Sequence, residues 1–132
     1  MCGIAGFVGK GDSKTLEQMI FAIRHRGPDS TGVWMGDGVG LAHARLSIID
    51  LTPSGSQPMW NEKNSVVIVF NGEIYNFPEL REECLSKGYH FRGNSDTEVI
   101  LALYEAYGIS CIERLNGMFA IALYDLATET LF

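Results

Sequence analysis

The second residue of this chain carries the most reactive side chain in the sequence. Cys2 follows Met1 directly, so loss of one residue would leave a thiol and a free α-amino group on the same amino acid. A thiol is nucleophilic only as thiolate, with a free pKa of about 8.5, and an α-amino group of pKa about 8 is matched to relay its proton near neutrality. The alternative for Cys2 is a small apolar residue starting a buried strand. An amide-cleaving thiol also needs donors for the oxyanion of a tetrahedral intermediate and groups that hold the substrate's ends. Asn71 and Gly72 follow an apolar run, where a side-chain amide and an unobstructed N–H could meet a developing negative charge, although the same dipeptide marks a plain hairpin turn. Arg45 ends an otherwise apolar stretch, and its forked guanidinium suits a carboxylate, either of a ligand or of a structural acid. Glu73 and Asp96 could receive an ammonium group, with Asp96 also placed to open a helix. His25, His43 and His90 have no partner at helical spacing, so they read as hydrogen-bonded structural residues and no metal site is expected.

These residues need elements to position them. Residues 2–8 form a short apolar strand broken by Gly3 and Gly6, and Leu16, Met19, Ile20 and Ile23 give residues 13–24 one apolar helical face, stopped at Gly27 and Pro28. Residues 31–35 and 39–44 flank Gly36-Asp37-Gly38 as an antiparallel hairpin, and residues 46–51 continue as extended chain. Residues 52–58 are a loop by their turn formers. Residues 66–70 are a buried strand, with Asn71-Gly72 as the tight turn leading to residues 73–75. Asn76 is placed to cap a helix with Leu80, Cys84 and Leu85 buried, and Ser95 with Glu98 opens a second helix that closes at Gly108. A short helix over 109–115, a core strand over 118–124 and a returning strand at the end complete the chain. This order is not the strict alternation of a parallel doubly wound sheet, so the fold class is α+β with mainly antiparallel sheets.

Bulk composition narrows the partners. At 132 residues the chain fits one domain with a core of its own. A net charge of -6, with ten basic residues scattered among sixteen acidic ones, disfavours nucleic acid and anionic membrane. There is neither a signal-peptide pattern nor a membrane-length apolar run, and three widely spaced cysteines fit a reducing compartment, so a cytoplasmic protein is expected. No Gly-rich phosphate loop is present, so no cofactor is expected in this segment.

Several segments together resemble a known family. Met1-Cys2-Gly3-Ile4-Ala5-Gly6, Arg24-His25-Arg26-Gly27-Pro28-Asp29, Leu41-Ala42-His43-Ala44-Arg45-Leu46-Ser47-Ile48-Ile49-Asp50, Gln57-Pro58-Met59, Phe70-Asn71-Gly72-Glu73-Ile74-Tyr75-Asn76 and Ser95-Asp96-Thr97-Glu98 resemble the N-terminal glutaminase domain of glutamine-hydrolysing asparagine synthetases, in order and approximate spacing. The resemblance implies an N-terminal-nucleophile hydrolase sandwich, αββα, acting on L-glutamine as a class II amidotransferase. It implies Cys2 as nucleophile, Asn71 and the Gly72 N–H as oxyanion donors, and Arg45 on the glutamine α-carboxylate. Glu73 and Asp96 would hold the α-amino group, with Leu46, Ser47, Ile48 and Ile49 giving backbone contacts. Ammonia would pass to a C-terminal synthetase domain that uses ATP and Mg2+ to amidate aspartate. A related amidotransferase with another acceptor, such as one of surface-polysaccharide biosynthesis, and a silent glutamine-binding module are the alternatives. Members of the family continue beyond the point matching Phe132, so the domain is expected to be cut at its C-terminal end, with an unpaired edge strand that favours homo-oligomers.

Overall fold

The central strand of the molecule divides its side chains between two cores. The structure, a computed structural model, describes residues 1–48 and 50–132. In β5 (Val66–Ile74), Val66, Ile68, Phe70 and Ile74 enter one apolar cluster while Val67 and Val69 enter another with Val39 and Leu41. Period-two alternation on a strand buried on both faces produces this split.

Two antiparallel sheets result. β1 (Gly3–Val8), β2 (Ser30–Met35) and β3 (Val39–Arg45) form a sheet in the order β1-β3-β2, the last two joined by the expected hairpin. β4 (Met59–Trp60), β5, β6 (Gly117–Asp125) and β7 (Thr130–Leu131) form the other in sequence order. The helix α1 (Ser13–Ile23) covers the first sheet by setting Leu16 and Ile20 on Ala42 and Ala44. α2 (Phe77–Ser86) and α3 (Asp96–Tyr107) cover the second, through Leu80, Cys84, Val99, Ile100 and Leu103. Between the sheets Trp34 packs edge-on to Trp60 at 5.6 Å and beside Tyr124 at 5.5 Å. The layering is therefore helix, sheet, sheet, helix, the expected αββα sandwich. β7 pairs with β6, and its outer edge carries no strand among the described residues.

Several local expectations change. Asn71-Gly72 is not a turn: β5 runs through it, with Asn71 opposite Ala120 and Gly72 opposite Phe119. Glycine is required there because β6 comes so close that a Cβ at 72 would run into the Met118 carbonyl. The expected extended chain over 46–51 does not follow among its described residues: β3 ends at Arg45, the chain bends at Ile48, and the Asp50 carbonyl meets the Arg45 guanidinium. Leu85 is exposed at 42% rather than buried. Asn76 precedes α2 but makes no side-chain cap; its amide donates to Arg114 O and accepts from Asn116 N–H. Ser95 caps α3 as expected, accepting the Glu98 N–H.

Candidate active site

Cys2 lies immediately before β1, beside the end of β3. Arg26 fixes its backbone by donating from Nε to Cys2 O at 3.0 Å. Its Sγ rests on the Leu46 peptide, accepting from Leu46 N–H at 3.3 Å and facing Leu46 O at 3.4 Å. Asp29 braces the same loop from outside, its N–H donating to Arg45 O at 3.0 Å and its carboxylate accepting from Ser47 N–H at 2.8 Å. Gly27 permits this approach, since a Cβ there would strike the backbone of Ala44 and Arg45. The Arg24–Asp29 segment is thus the brace of the nucleophile's loop.

An open-mouthed cleft begins at Cys2. Of the residues singled out from sequence it brings together Cys2, Arg45, Leu46, Ser47, Ile48, Gly72, Glu73 and Asp96. Asn71 stands one residue outside that lining; Ile49 lies outside the described residues. Asn71 and Glu73 share the face of β5 that Val67 and Val69 turn toward the first sheet. The Asn71 side-chain amide makes no hydrogen bond among the described residues, and its Oδ1 is buried without a partner.

Strand parity also sets the direction of the Gly72 N–H. Even-numbered residues of β5 point their peptide groups away from β6: Phe70 N–H donates to Gln57 Oε1 at 2.6 Å and Ile74 N–H to Asp96 Oδ2 at 3.1 Å. Gly72 lies between them, and among the described residues no side chain takes its N–H. The cleft therefore borders a backbone donor left open between two that are bound.

Charge in the cleft is unevenly satisfied. Arg45 is 8% exposed, donating from Nη1 to Thr52 O at 2.9 Å and from Nη2 to Asp50 O, and no carboxylate pairs with it among the described residues. A buried guanidinium held by two neutral carbonyls and, from Nη1, the Ser56 hydroxyl at 3.5 Å leaves its charge uncompensated for an incoming anion. Asp50 instead faces donors: the Thr52 hydroxyl at 2.6 Å, then Asn94 N–H at 3.0 Å, Thr52 N–H and the Ser54 hydroxyl hold its carboxyl well below the usual carboxylate range. Burial pushes the Asp96 carboxyl up, partly offset by the Ile74 N–H, and nearby Glu73 adds to the rise. His43 is fully buried, its Nε2 at 3.2 Å from Phe70 O, and burial, helped by the neighbouring Arg45 charge, brings its pKa down to about 4. Its Nδ1 has no partner among the described residues.

Sequence reasoning passed over His43, Asp50, Gln57, Ser95 and Thr97 as lining residues. Gln57 stood in one of the resembling motifs, and Asp50 and His43 in another; nothing in their types alone set them apart from loop and core residues. Among the described residues no group of three or more His, Cys, Asp or Glu side chains gathers as a metal site.

Known proteins resemble this chain along nearly its whole length. The family model described as "Glutamine amidotransferase domain" matches residues 1–132. The chain is 42% identical to asparagine synthetase [glutamine-hydrolyzing] 1 of Bacillus subtilis, over 100% of this chain and 22% of that protein. It is 45% identical to asparagine synthetase B [glutamine-hydrolyzing] of Escherichia coli, covering 95% of this chain and 23% of that one. It is also 43% identical to amidase chry2 of Gibberella zeae, over 95% of this chain and 21% of that protein. This chain therefore spans about a fifth of the length of these relatives. The fold is shared with the glutamine phosphoribosylpyrophosphate amidotransferase of B. subtilis solved with ADP and GMP, at TM-score 0.78 and 18% identity, covering 93% of this chain and 35% of that one. Across its whole length, the chain belongs to the glutamine amidotransferase domain family.

Proposed function

We propose that the cleft hydrolyses the side-chain amide of L-glutamine, with Cys2 as nucleophile once Met1 is removed. The observation that supports this best is the cleft's arrangement: a thiol at one end, an open N–H at Gly72, an unpaired guanidinium at Arg45 and the acids Glu73 and Asp96. The α-amino group of Cys2 accepts the thiol proton, and Sγ attacks the amide carbon. The carbonyl electron pair moves onto oxygen, where the Asn71 side-chain N–H and the Gly72 N–H receive it. Collapse breaks the C–N bond, the α-ammonium returns its proton to the leaving nitrogen, and ammonia departs from a thioester. Water then attacks the thioester through the same oxyanion site and releases glutamate and the thiol. Arg45 attracts the substrate α-carboxylate, Glu73 and Asp96 its α-ammonium, and the 46–48 backbone lines its path, with Ile49 assigned the same role outside the described residues.

The nitrogen acceptor is a further proposal. The matches to asparagine synthetases of B. subtilis and E. coli support aspartate, amidated with ATP and Mg2+ by a synthetase region of a longer protein. The match to amidase chry2 at similar identity keeps a different carboxylate as the second reading. The three free cysteines fit a cytoplasmic setting, and no helix among the described residues is long and apolar enough to cross a membrane.

Glutamate release from glutamine, measured for the wild type and for Cys2→Ala, tests the core of this reading. Wild-type turnover with a loss of roughly 10⁴-fold or more in the variant is expected when the attacking atom is removed. Equal rates would exclude Cys2 as the nucleophile, and silence from both would leave a glutamine-binding module.

A further inference from the structure

The last full rung of β4 on β5 is Met59 opposite Ile68 and Trp60 opposite Val67. Continued by the same register, the next bonded partner of Phe70 would be Gln57, but the chain has left the sheet there. Both polar groups of Phe70 are satisfied by side chains instead. Gln57 Oε1 accepts the Phe70 N–H at 2.6 Å, and the His43 Nε2–H, reaching across from the other sheet, donates to Phe70 O at 3.2 Å. A carbonyl can only accept, so His43 must carry its proton on Nε2. The orientation of the Gln57 amide is set as well, because its Nε2 donates to Thr97 Oγ1 at 3.3 Å.

We infer that His43 and Gln57 are positioning residues, gripping both polar groups of Phe70 on the edge away from β6, where the β4 ladder ends, and thereby fixing the Asn71 amide and Gly72 N–H that follow. The claim rests on the glutaminase reading for its catalytic consequence. Its physical basis is independent of that reading. Without the two side chains, Phe70 would present two unpaired polar groups at the edge of the cleft, and the strand beyond it would be held on one side alone, by β6. Oxyanion donors act through preset direction, so a shift of a fraction of an ångström is felt in the transition state more than in ground-state binding.

The full chain is tested as His43→Phe, which keeps an aromatic ring and removes the donor, and as Gln57→Met. Should His43→Phe fail to fold, Gln57→Met carries the test. Each is expected to lower kcat for glutamine hydrolysis roughly 10- to 100-fold with KM moved less than about threefold. His43→Gln, whose amide nitrogen reaches near the imidazole Nε2 position, is expected to recover kcat to within about fivefold of wild type. Amide hydrogen exchange gives the second readout: the Asn71 N–H should exchange about tenfold faster in His43→Phe and Gln57→Met while Val67, earlier in β5, is unchanged. An unchanged kcat overturns the inference, and so does exchange at Asn71 that rises no more than at Val67. If the wild type releases no glutamate, the glutaminase reading falls and the exchange pattern alone decides the positioning.

Discussion

Leu46 N–H donates to the Sγ of Cys2 at 3.3 Å, joining the residue before β1 to the loop after β3. A backbone donor on sulfur orients the thiol, yet it takes no proton. The base must come from elsewhere, because among the described residues Sγ hydrogen-bonds only the Leu46 backbone. In the proposed mechanism the α-amine of Cys2 fills that role, which it can do only when Met1 is gone. The fraction of chains labelled by an electrophilic glutamine analogue should therefore equal the fraction that intact mass shows to lack Met1. Labelling of Met1-bearing chains at the same rate would remove the α-amine from the mechanism.

Asp96 sets stability against binding. Burial raises its folded pKa above the ordinary 3.8, so its contribution to stability is complete below that value and declines as pH rises through the raised one. Asp96→Asn keeps an oxygen for the Ile74 N–H and abolishes the buried charge. It should melt at the same temperature as the wild type or higher at pH 7, while KM for glutamine rises roughly 10- to 100-fold, the worth of a charge-assisted bond to ammonium. In the wild type KM should rise as pH falls through the Asp96 pKa. A lower melting temperature with an unchanged KM would make Asp96 a structural residue only.

Asp50 has the opposite sign. Donors from Thr52, Asn94 and Ser54 depress its pKa, so its contribution is present above the ordinary carboxylate value and is lost as pH falls below about 4 toward the folded value. The carboxylate ties the loop around Arg45 to the segment before α3, through Asn94. Asp50→Ala strands the Thr52 and Asn94 N–H groups and should cost about 2 kcal/mol at pH 7 by denaturant unfolding. The gap between variant and wild type should narrow as pH falls below about 4. A gap that is constant with pH would assign the cost to packing.

The elements were legible wherever one periodicity or one cap dominated. Leu16 and Ile20 at helical spacing, the Gly36-Asp37-Gly38 turn and the Ser95 cap each act through neighbours close in sequence. Asn71-Gly72 misled because the local signal for a turn is real, and only β6, more than 40 residues on, makes an extended glycine necessary there. The same holds for the site. The roles of Cys2, Gly72, Glu73 and Asp96 could be named from residue type and resemblance, and they meet in one cleft. Gln57 and His43 could not, since each owes its place to Phe70, a core residue whose free edge exists only because β4 begins no earlier than Met59. Likewise the placing of Asp50 and Thr52 beside β3 follows from the guanidinium of Arg45 collecting their carbonyls, a long-side-chain effect that strand patterning does not carry.

Gly72 and Gly38 differ in what surrounds an added Cβ, close backbone at one and open space at the other. A methyl group at this position would collide with the Met118 carbonyl and the Phe119 backbone of β6, neither of which is the free end of a flexible side chain. Gly38, in the β2–β3 turn, has φ +67 with nothing within 4 Å of an added Cβ, so alanine there meets backbone strain alone. Gly38→Ala should cost about 1 kcal/mol and leave glutamine hydrolysis at its wild-type rate. Gly72→Ala must push β5 off β6, at roughly 3 kcal/mol or more, and turn the open N–H away from the cleft. Its residual kcat should fall at least 100-fold even under conditions where circular dichroism shows the chain folded, as expected for a lost oxyanion donor. A folded Gly72→Ala chain with near-normal kcat would show that the β5 backbone does not take part in the chemistry.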